Sequence, residues 1–276
     1  MRLLKPLWVT HGSLSKDQSI DRPIYSLDIH PDGSRLATGG VVDTCGVVIL
    51  WNMVLIRDPS LETDSNIPRK LFQMDSHQDI IDLAWSQDGR KLASASVDNN
   101  VIVWCRQSTG TGAPGQFALL TTLRGHHGFV KGVAWDPIGR YLATQGDDVA
   151  VNVWRTSDWQ IEANIKKPFA KATGQSQVMR ISWSLDGSTI AAPHAINNGF
   201  PTAKLIDRTN WMPSLDLVGH RKHVTCARYN PNVFRKMTNG ESHGDDKPDN
   251  SNDRMGQLRE IVSGVMSWNS VTITIS

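Results

Sequence analysis

Apolar and polar positions alternate along the chain in short runs broken by Gly, Asp and Pro, the period-two pattern of strands joined by tight turns. Four segments repeat that pattern around one turn: IYSLDIHPDGSRLATGG from Ile24, IIDLAWSQDGRKLASAS from Ile80, VKGVAWDPIGRYLATQG from Val130 and VMRISWSLDGSTIAAPH from Val178. A fifth start, VTCARYNPNVF from Val224, begins in the same way and breaks off. The turn glycines Gly33, Gly89, Gly139 and Gly187 lie 56, 50 and 48 residues apart, and glycine there permits the positive φ of a tight turn. In the first three units a third strand closes on tryptophan, at Trp51, Trp104 and Trp154, whereas the fourth has Ile206 in that place. A fourth strand then leads onward, as in FALLTTLRGH, QIEANIKK and PSLDLVGH. Four strands in about 50 residues, repeated, make one propeller blade per unit and an all-β chain.

Composition narrows the class. A chain of 276 residues that is 39% hydrophobic can hold one large domain or two small ones. A net charge of +2 gives no footprint for bulk nucleic acid or a membrane surface. Ten tryptophans against three tyrosines fit a fixed, repeated structural position for tryptophan. Cys45, Cys105 and Cys226 are far apart and odd in number, neither a disulfide framework nor a metal clip, which predicts a reducing compartment. The apolar run near the N-terminus is too short for a signal peptide, and no run of about 18 apolar residues predicts a membrane span.

Two units carry a histidine, a hydroxyl and a carboxylate at matched spacing. They are His77, Ser94, Asp98 and Trp104, and His126, Thr144, Asp148 and Trp154, with four residues from hydroxyl to Asp and six from Asp to Trp in both. His220 opens a further copy, and His127 reads as a loop residue. On paper the set resembles a Ser-His-Asp nucleophile. Its recurrence and its closing tryptophan argue for a buried polar relay that fixes blade packing. There is no phosphate loop, no HExxH and no nucleophile outside the relay, so the expectation is no enzyme, no cofactor and no metal.

The pairs Gly125-His126 and Gly219-His220, the variant Ser76-His77 and the degenerate ends Trp51-Asn52, Trp104-Cys105 and Trp154-Arg155 resemble the WD40 family. More discriminating segments are MRLLKPLWV, NIPRKLFQMDSH, DWQIEANIKKPF, PHAINNGFPTA and DLVGHRKHVTCARYNPNVF. Together they closely resemble the N-terminal propeller of the HIRA/Hir family of histone-regulator chromatin assembly factors, over roughly residues 1–236. That resemblance implies a nuclear, non-enzymatic scaffold that deposits a replacement H3 variant with H4 independently of replication and affects transcription, often as a repressor. It implies a propeller of about seven blades that recruits a ubinuclein-type subunit. The family regions that contact the Asf-type chaperone and a cabin-type subunit lie beyond this chain, so histone and chromatin contact is expected to be indirect. No membrane or small-molecule partner is implied. Different readings are a WD40 substrate receptor of a ubiquitin ligase, and a truncated product with no function of its own.

The chain departs from that family in its blade count. Repeats fall near 1–56, 70–107, 118–157 and 160–208, with a partial one at 214–234, so the expectation is an incomplete WD40 β-propeller of about four to five blades. The strand LLKPLWV would normally complete the last blade. His126 and His220 each precede the inner-strand aromatic by nine residues, but His77 precedes Trp85 by eight. DSHQ–DIIDLAW therefore reads as the head of one blade joined to the body of another, with a blade lost between. Residues 237–276 read as a polar disordered tail and a divergent C-terminus with strand-like alternation at Val271, Ile273 and Ile275. For partner binding the candidates are Arg180, alone as a cation in the register of Ser26, Asp82, Gly132 and Cys226, then Lys131, Arg140 and Arg221 with Lys222 as a basic patch, and Trp159 with Trp211 as loop anchors. Each has a plainer reading: Arg180 paired inside the channel with Asp82, the basic residues as a solvated face, and the tryptophans packed on a blade edge.

Overall fold

The computed structural model describes residues 6, 8–11, 22–42, 45–107, 116–172 and 176–230, and the short strands at 234–235, 257–258 and 261–264. The first sheet is β1 (Ile24–Ile29), β2 (Arg35–Val42), β3 (Cys45–Asn52) and β4 (Lys70–His77), hydrogen-bonded in that order. The second is β5 (Ile80–Trp85), β6 (Lys91–Ser96), β7 (Asn100–Arg106) and β8 (Phe117–Arg124). The third is β9 (Val130–Trp135), β10 (Tyr141–Gly146), β11 (Ala150–Arg155) and β12 (Ile161–Ile165). The fourth is β13 (Ser182–Trp183), β14 (Thr189–Asn197), β15 (Phe200–Asp207) and β16 (Pro213–Leu217). All four are antiparallel meanders, as short turns between alternating strands require. A fifth blade is begun by β17 (Cys226–Tyr229). After β18 (Phe234–Arg235) and β19 (Gln257–Leu258), which pair with each other, β20 (Ile261–Gly264) pairs with β17.

The turns that set this register are those read from the sequence. Gly33, Gly89, Gly139 and Gly187 sit at φ of +71°, +68°, +82° and +67°. Each donates its N–H back to the residue three positions earlier, at 2.7–2.8 Å. A Cβ at Gly89 would also meet the His30 ring, whose Nε2 lies 2.9 Å from the Gly89 carbonyl, so this turn locks the first blade to the second.

The inner strands β1, β5, β9, β13 and β17 lie side by side around a channel, and the core is a series of blade-to-blade layers. Ala37, Val48, Leu50 and Met74 of the first blade meet Ile80, Leu83, Trp85 and Trp104 of the second. Ala93, Ala95, Val101 and Val103 meet Val130, Val133 and Trp135. Polar links cross the same layers: Leu83 donates its N–H to Ser26 Oγ, Trp85 to Asp28 Oδ2, Val133 to Asp82 Oδ2 and Tyr229 to Ser182 Oγ. These side-chain oxygens satisfy backbone donors that no strand reaches. Among the described residues no blade packs on the other face of the first blade. Helix α1 (Met53–Arg57), capped by Asn52, covers its outer half with Met53 and Ile56, beside Trp8 and Val9. Each inner strand packs on the next, β1 on β5 through to β13 on β17, but β17 does not pack on β1 in that way, so the ring is not closed among the described residues. The expected incomplete propeller is thus the observed fold.

Candidate functional site: buried relays and the channel

Each sheet ends one strand after the sequence unit begins, so the relay histidines sit where one blade hands over to the next. His77 ends β4, and His126 follows β8. His77 Nδ1 is 2.8 Å from Asp98 Oδ2 and its Nε2 is 3.0 Å from Ser94 Oγ, to which Trp104 Nε1 donates at 3.0 Å. In the next blade His126 Nδ1 is 2.9 Å from Asp148 Oδ1, Nε2 is 2.8 Å from Thr144 Oγ1, and Trp154 Nε1 donates to that hydroxyl at 2.9 Å. A neutral imidazole satisfies the set: Nδ1–H donates to the carboxylate, and the hydroxyl, already accepting from tryptophan, donates to Nε2. His127 adds its backbone N–H to Asp148 Oδ2.

Burial acts to raise both carboxyls, but the hydrogen bonds they accept, from His77 and the Asn100 N–H on Asp98 and from His126 and the His127 N–H on Asp148, outweigh it and hold them below the usual range. Ser94 and Thr144 are fully buried beneath tryptophan. A nucleophile needs room for a substrate beside its oxygen, and here the indole N–H occupies it. The relay arrangement can tie strands together and cannot take a substrate at that hydroxyl.

A third relay escaped the sequence reading. His11 Nε2 lies 2.8 Å from Thr38 Oγ1, and Trp51 Nε1 donates to the same hydroxyl at 2.7 Å. Four residues after Thr38 stands Val42 where the other relays have Asp, and His11 Nδ1 has no hydrogen-bond partner among the described residues. Burial, then the nearby Lys70 charge, lowers the His11 pKa from 6.5 to about 4. A histidine whose folded pKa is depressed binds fewer protons folded than unfolded, so stability falls as pH drops from 6.5 toward 4. Urea denaturation at several pH values is expected to show that slope in the native protein and a shallower one in His11→Leu.

The fourth blade has no relay. Ala192 holds the hydroxyl position and Ile206 the tryptophan position, and both are buried in one apolar cluster with Phe169. In the fifth, His220 is half-buried, and burial lowers its pKa. Position 263 lies opposite Ala227, the place Ser94 holds opposite Leu83 and Thr144 opposite Val133.

Arg180 reaches from the fourth blade across the channel to the first. Its Nη2 donates to the Tyr25 carbonyl at 2.7 Å, and Nη1 lies 3.5 Å from both Ser26 Oγ and Asp82 Oδ1. The four other basic candidates do not form one patch. Lys131 is buried, bonded to the Ser176 carbonyl and paired with Asp147. Arg140 lies beyond the far end of β9, about 13 Å away for four strand residues. Arg221 and Lys222 are exposed in the loop before β17. Trp159 and Trp211 repeat one geometry. Each has positive φ, and each meets its blade's inner tryptophan edge-on at 6.2 Å, Trp159 on Trp135 and Trp211 on Trp183. As with the relay, repetition supports a packing role. Trp159 also borders a rim groove of about 440 Å³ with Thr121, Arg124, Trp154 and Ile161.

The family model for the WD domain, G-beta repeat, matches residues 11–52, 68–105 and 117–155. The first match starts at His11, the relay that fixed spacing overlooked. Across 88% of this chain, identity is 39% to Protein HIRA of Mus musculus, 35% to the Protein HIRA homolog of Drosophila melanogaster and 33% to Protein HIR1 of Cryptococcus neoformans. The chain carries WD40 repeats and is a homologue of the HIRA and HIR1 proteins over most of its length. It spans 29%, 27% and 33% of the length of those three relatives.

The alignment to the mouse relative is longer than the part of this chain that it covers. It runs over 298 positions, and 88% of the 276 residues is about 243, so about 55 positions have no counterpart here. That is the length of one repeat. The join between β4 and β5 has only Gln78 and Asp79, where β8 and β9 are linked by five residues. The Gln78 carbonyl lies 1.6 Å from where a Cβ on Gly46 would stand, so the short join is seated against a position only glycine can fill.

Proposed function

We propose that the chain is a scaffold subunit of a HIRA-type histone chaperone complex, acting in the nucleus in replication-independent chromatin assembly and transcriptional regulation. It works through protein–protein contact, and a ubinuclein-type subunit is its direct partner; histones are reached through other subunits. The observation that carries this reading is the 33–39% identity to HIRA and HIR1 proteins over 88% of the chain. The relay geometry supports a non-enzymatic role, since its hydroxyls are sealed under tryptophan. The partner contacts retained blades, and the exposed Arg140, Arg221 and Lys222 are the basic candidates on the surface.

The test is a pull-down of purified 1–276 with a ubinuclein-type subunit, run beside a relative with the complete propeller. Binding by both is expected. Binding by the complete propeller alone would place the site on blades missing here and make this chain a truncated product without that activity.

A further inference from the structure

Five cations gather at one end of the first two blades. Arg35 opens β2 and Lys91 opens β6, while Arg106 ends β7 and Arg57 ends α1, the helix that follows β3. The second strand of a blade starts beside the end of the third, so Arg35 pairs with Asn52 and Lys91 with Cys105. Arg90 stands between Gly89 and Lys91, and its carbonyl accepts the Arg106 N–H at 3.1 Å. The contact of His30 with the Gly89 carbonyl holds the two turns together. Arg57 reaches back over the β1–β2 turn, its guanidinium 2.5 Å from where a Cβ on Gly33 would stand. Burial, then the Arg106 charge, lowers the Arg35 pKa, so the cations of the two blades act on each other. Arg57, Arg90 and Arg106 are exposed, and Arg35 and Lys91 are half-buried.

Repetition separates what the blades need at this end from what they do not. The turn carboxylates repeat: Asp32, Asp88 and Asp186 each accept the N–H two residues on, at 2.7–3.1 Å. The cations do not repeat. Where the second blade has Arg90 and Lys91, the fourth has Ser188 and Thr189 and folds the same turn. The nearby carboxylates are engaged elsewhere: Asp32 faces His30 and the Ser34 N–H, Asp58 accepts from Ser60, and Asp88 from Ser86 and the Arg90 N–H. Among the described residues none of the five cations is in an ion pair.

We propose that this cluster binds an acidic segment of another protein, rich in Asp and Glu. A planar guanidinium matches a carboxylate with two parallel hydrogen bonds, and the exposed Arg57, Arg90 and Arg106 present three such forks at one junction of blades. Three aspartates are interleaved with the cations. A nucleic-acid backbone draws its affinity from many phosphates neutralised at once, which so mixed a surface does not provide. Separate carboxylates on a flexible chain settle beside the arginines and avoid Asp32 and Asp88. None of the five cations is a candidate for the ubinuclein-type contact, so either proposal can fail without the other.

The probe is a fluorescein-labelled decapeptide alternating Glu with Gly, read by anisotropy against intact 1–276 at low salt. The expected Kd is in the tens of micromolar, weakening at least tenfold in the double variant Arg90→Glu, Arg106→Glu. The control Lys167→Glu, Lys171→Glu makes the same change in net charge on exposed side chains beyond β12, at the opposite end of the blades, and retains binding. Equal thermal transitions of the two double variants keep the comparison one of binding and not of folding. Should the first melt lower, Arg90→Gln with Arg106→Gln carries the test, with an expected loss of threefold or more. Unchanged affinity in the Arg90, Arg106 variants overturns the proposal. So does an equal loss in the Lys167, Lys171 control, since net charge alone then accounts for binding. A short DNA duplex that displaces the labelled peptide at a lower concentration than the unlabelled peptide does also overturns it, because the cluster then serves nucleic acid.

Discussion

Arg180→Met is expected to lower the free energy of unfolding by about 3 kcal/mol, because it removes one partner of a buried ion pair. Asp82 is 1% exposed and accepts from Ser26 Oγ and the Val133 N–H besides its ion pair with Arg180. Without the guanidinium, a carboxylate held by neutral donors stays in the channel wall between the first three blades. The Tyr25 carbonyl loses its donor as well. Because Arg180, two residues before β13, reaches the Tyr25 carbonyl of β1, it tethers the two sides of an open array. Urea denaturation measures the effect. Asp82→Asn alone strands the cation in the same way, while the double variant Arg180→Met, Asp82→Asn is expected to cost less than the sum of the singles, by 1 kcal/mol or more of coupling. A single-variant cost below about 0.5 kcal/mol, the usual level for a surface pair, would show that the channel is wet enough to screen these charges.

The same pair shows where sequence reasoning reaches and where it stops. Arg180 and Asp82 share one register position in their strands, so the repeat alone placed them on one ring of the channel. It could not decide between partner binding and pairing, because that depends on how far the ring narrows. The relays of the second and third blades were legible because their hydroxyl-to-tryptophan spacing is ten residues in both. His11 was missed because β2 and β3 are longer, which moves Trp51 thirteen residues from Thr38, and because Val42 replaces the carboxylate. Lys131 and Arg140 are close in sequence, but a strand separates its two ends in space. β20 was hidden by a polar insertion of some twenty residues between it and β17, long enough to break any repeat period. Blade number and register follow from local periodicity; contacts across the channel depend on the curvature of the whole array.

His126→Ala is expected to cost about 3 kcal/mol, the other large effect. The substitution removes the partner of Asp148 and of Thr144 at once, leaving Trp154 Nε1 and the buried hydroxyl to share a reduced network, and each buried group left unsatisfied costs about 1–3 kcal/mol. His11→Ala should cost less, since that relay has no carboxylate to strand. The fourth blade explains why the cost comes from breaking the relay and not from lacking one. Phe169, Ala192 and Ile206 pack there with no polar group to satisfy. His126→Leu combined with Thr144→Val should therefore cost less than the two changes summed. Acid provides an independent check. His126 holds the Asp148 carboxyl below its usual pKa, so the native protein has that stabilisation in full above about pH 4 and loses it as pH falls through the lowered value. In His126→Ala that contribution is already gone. The unfolding free energies of the two proteins should therefore converge as the pH is lowered below 4, and a gap that stays constant down to pH 2 would assign the cost to lost packing instead of the relay.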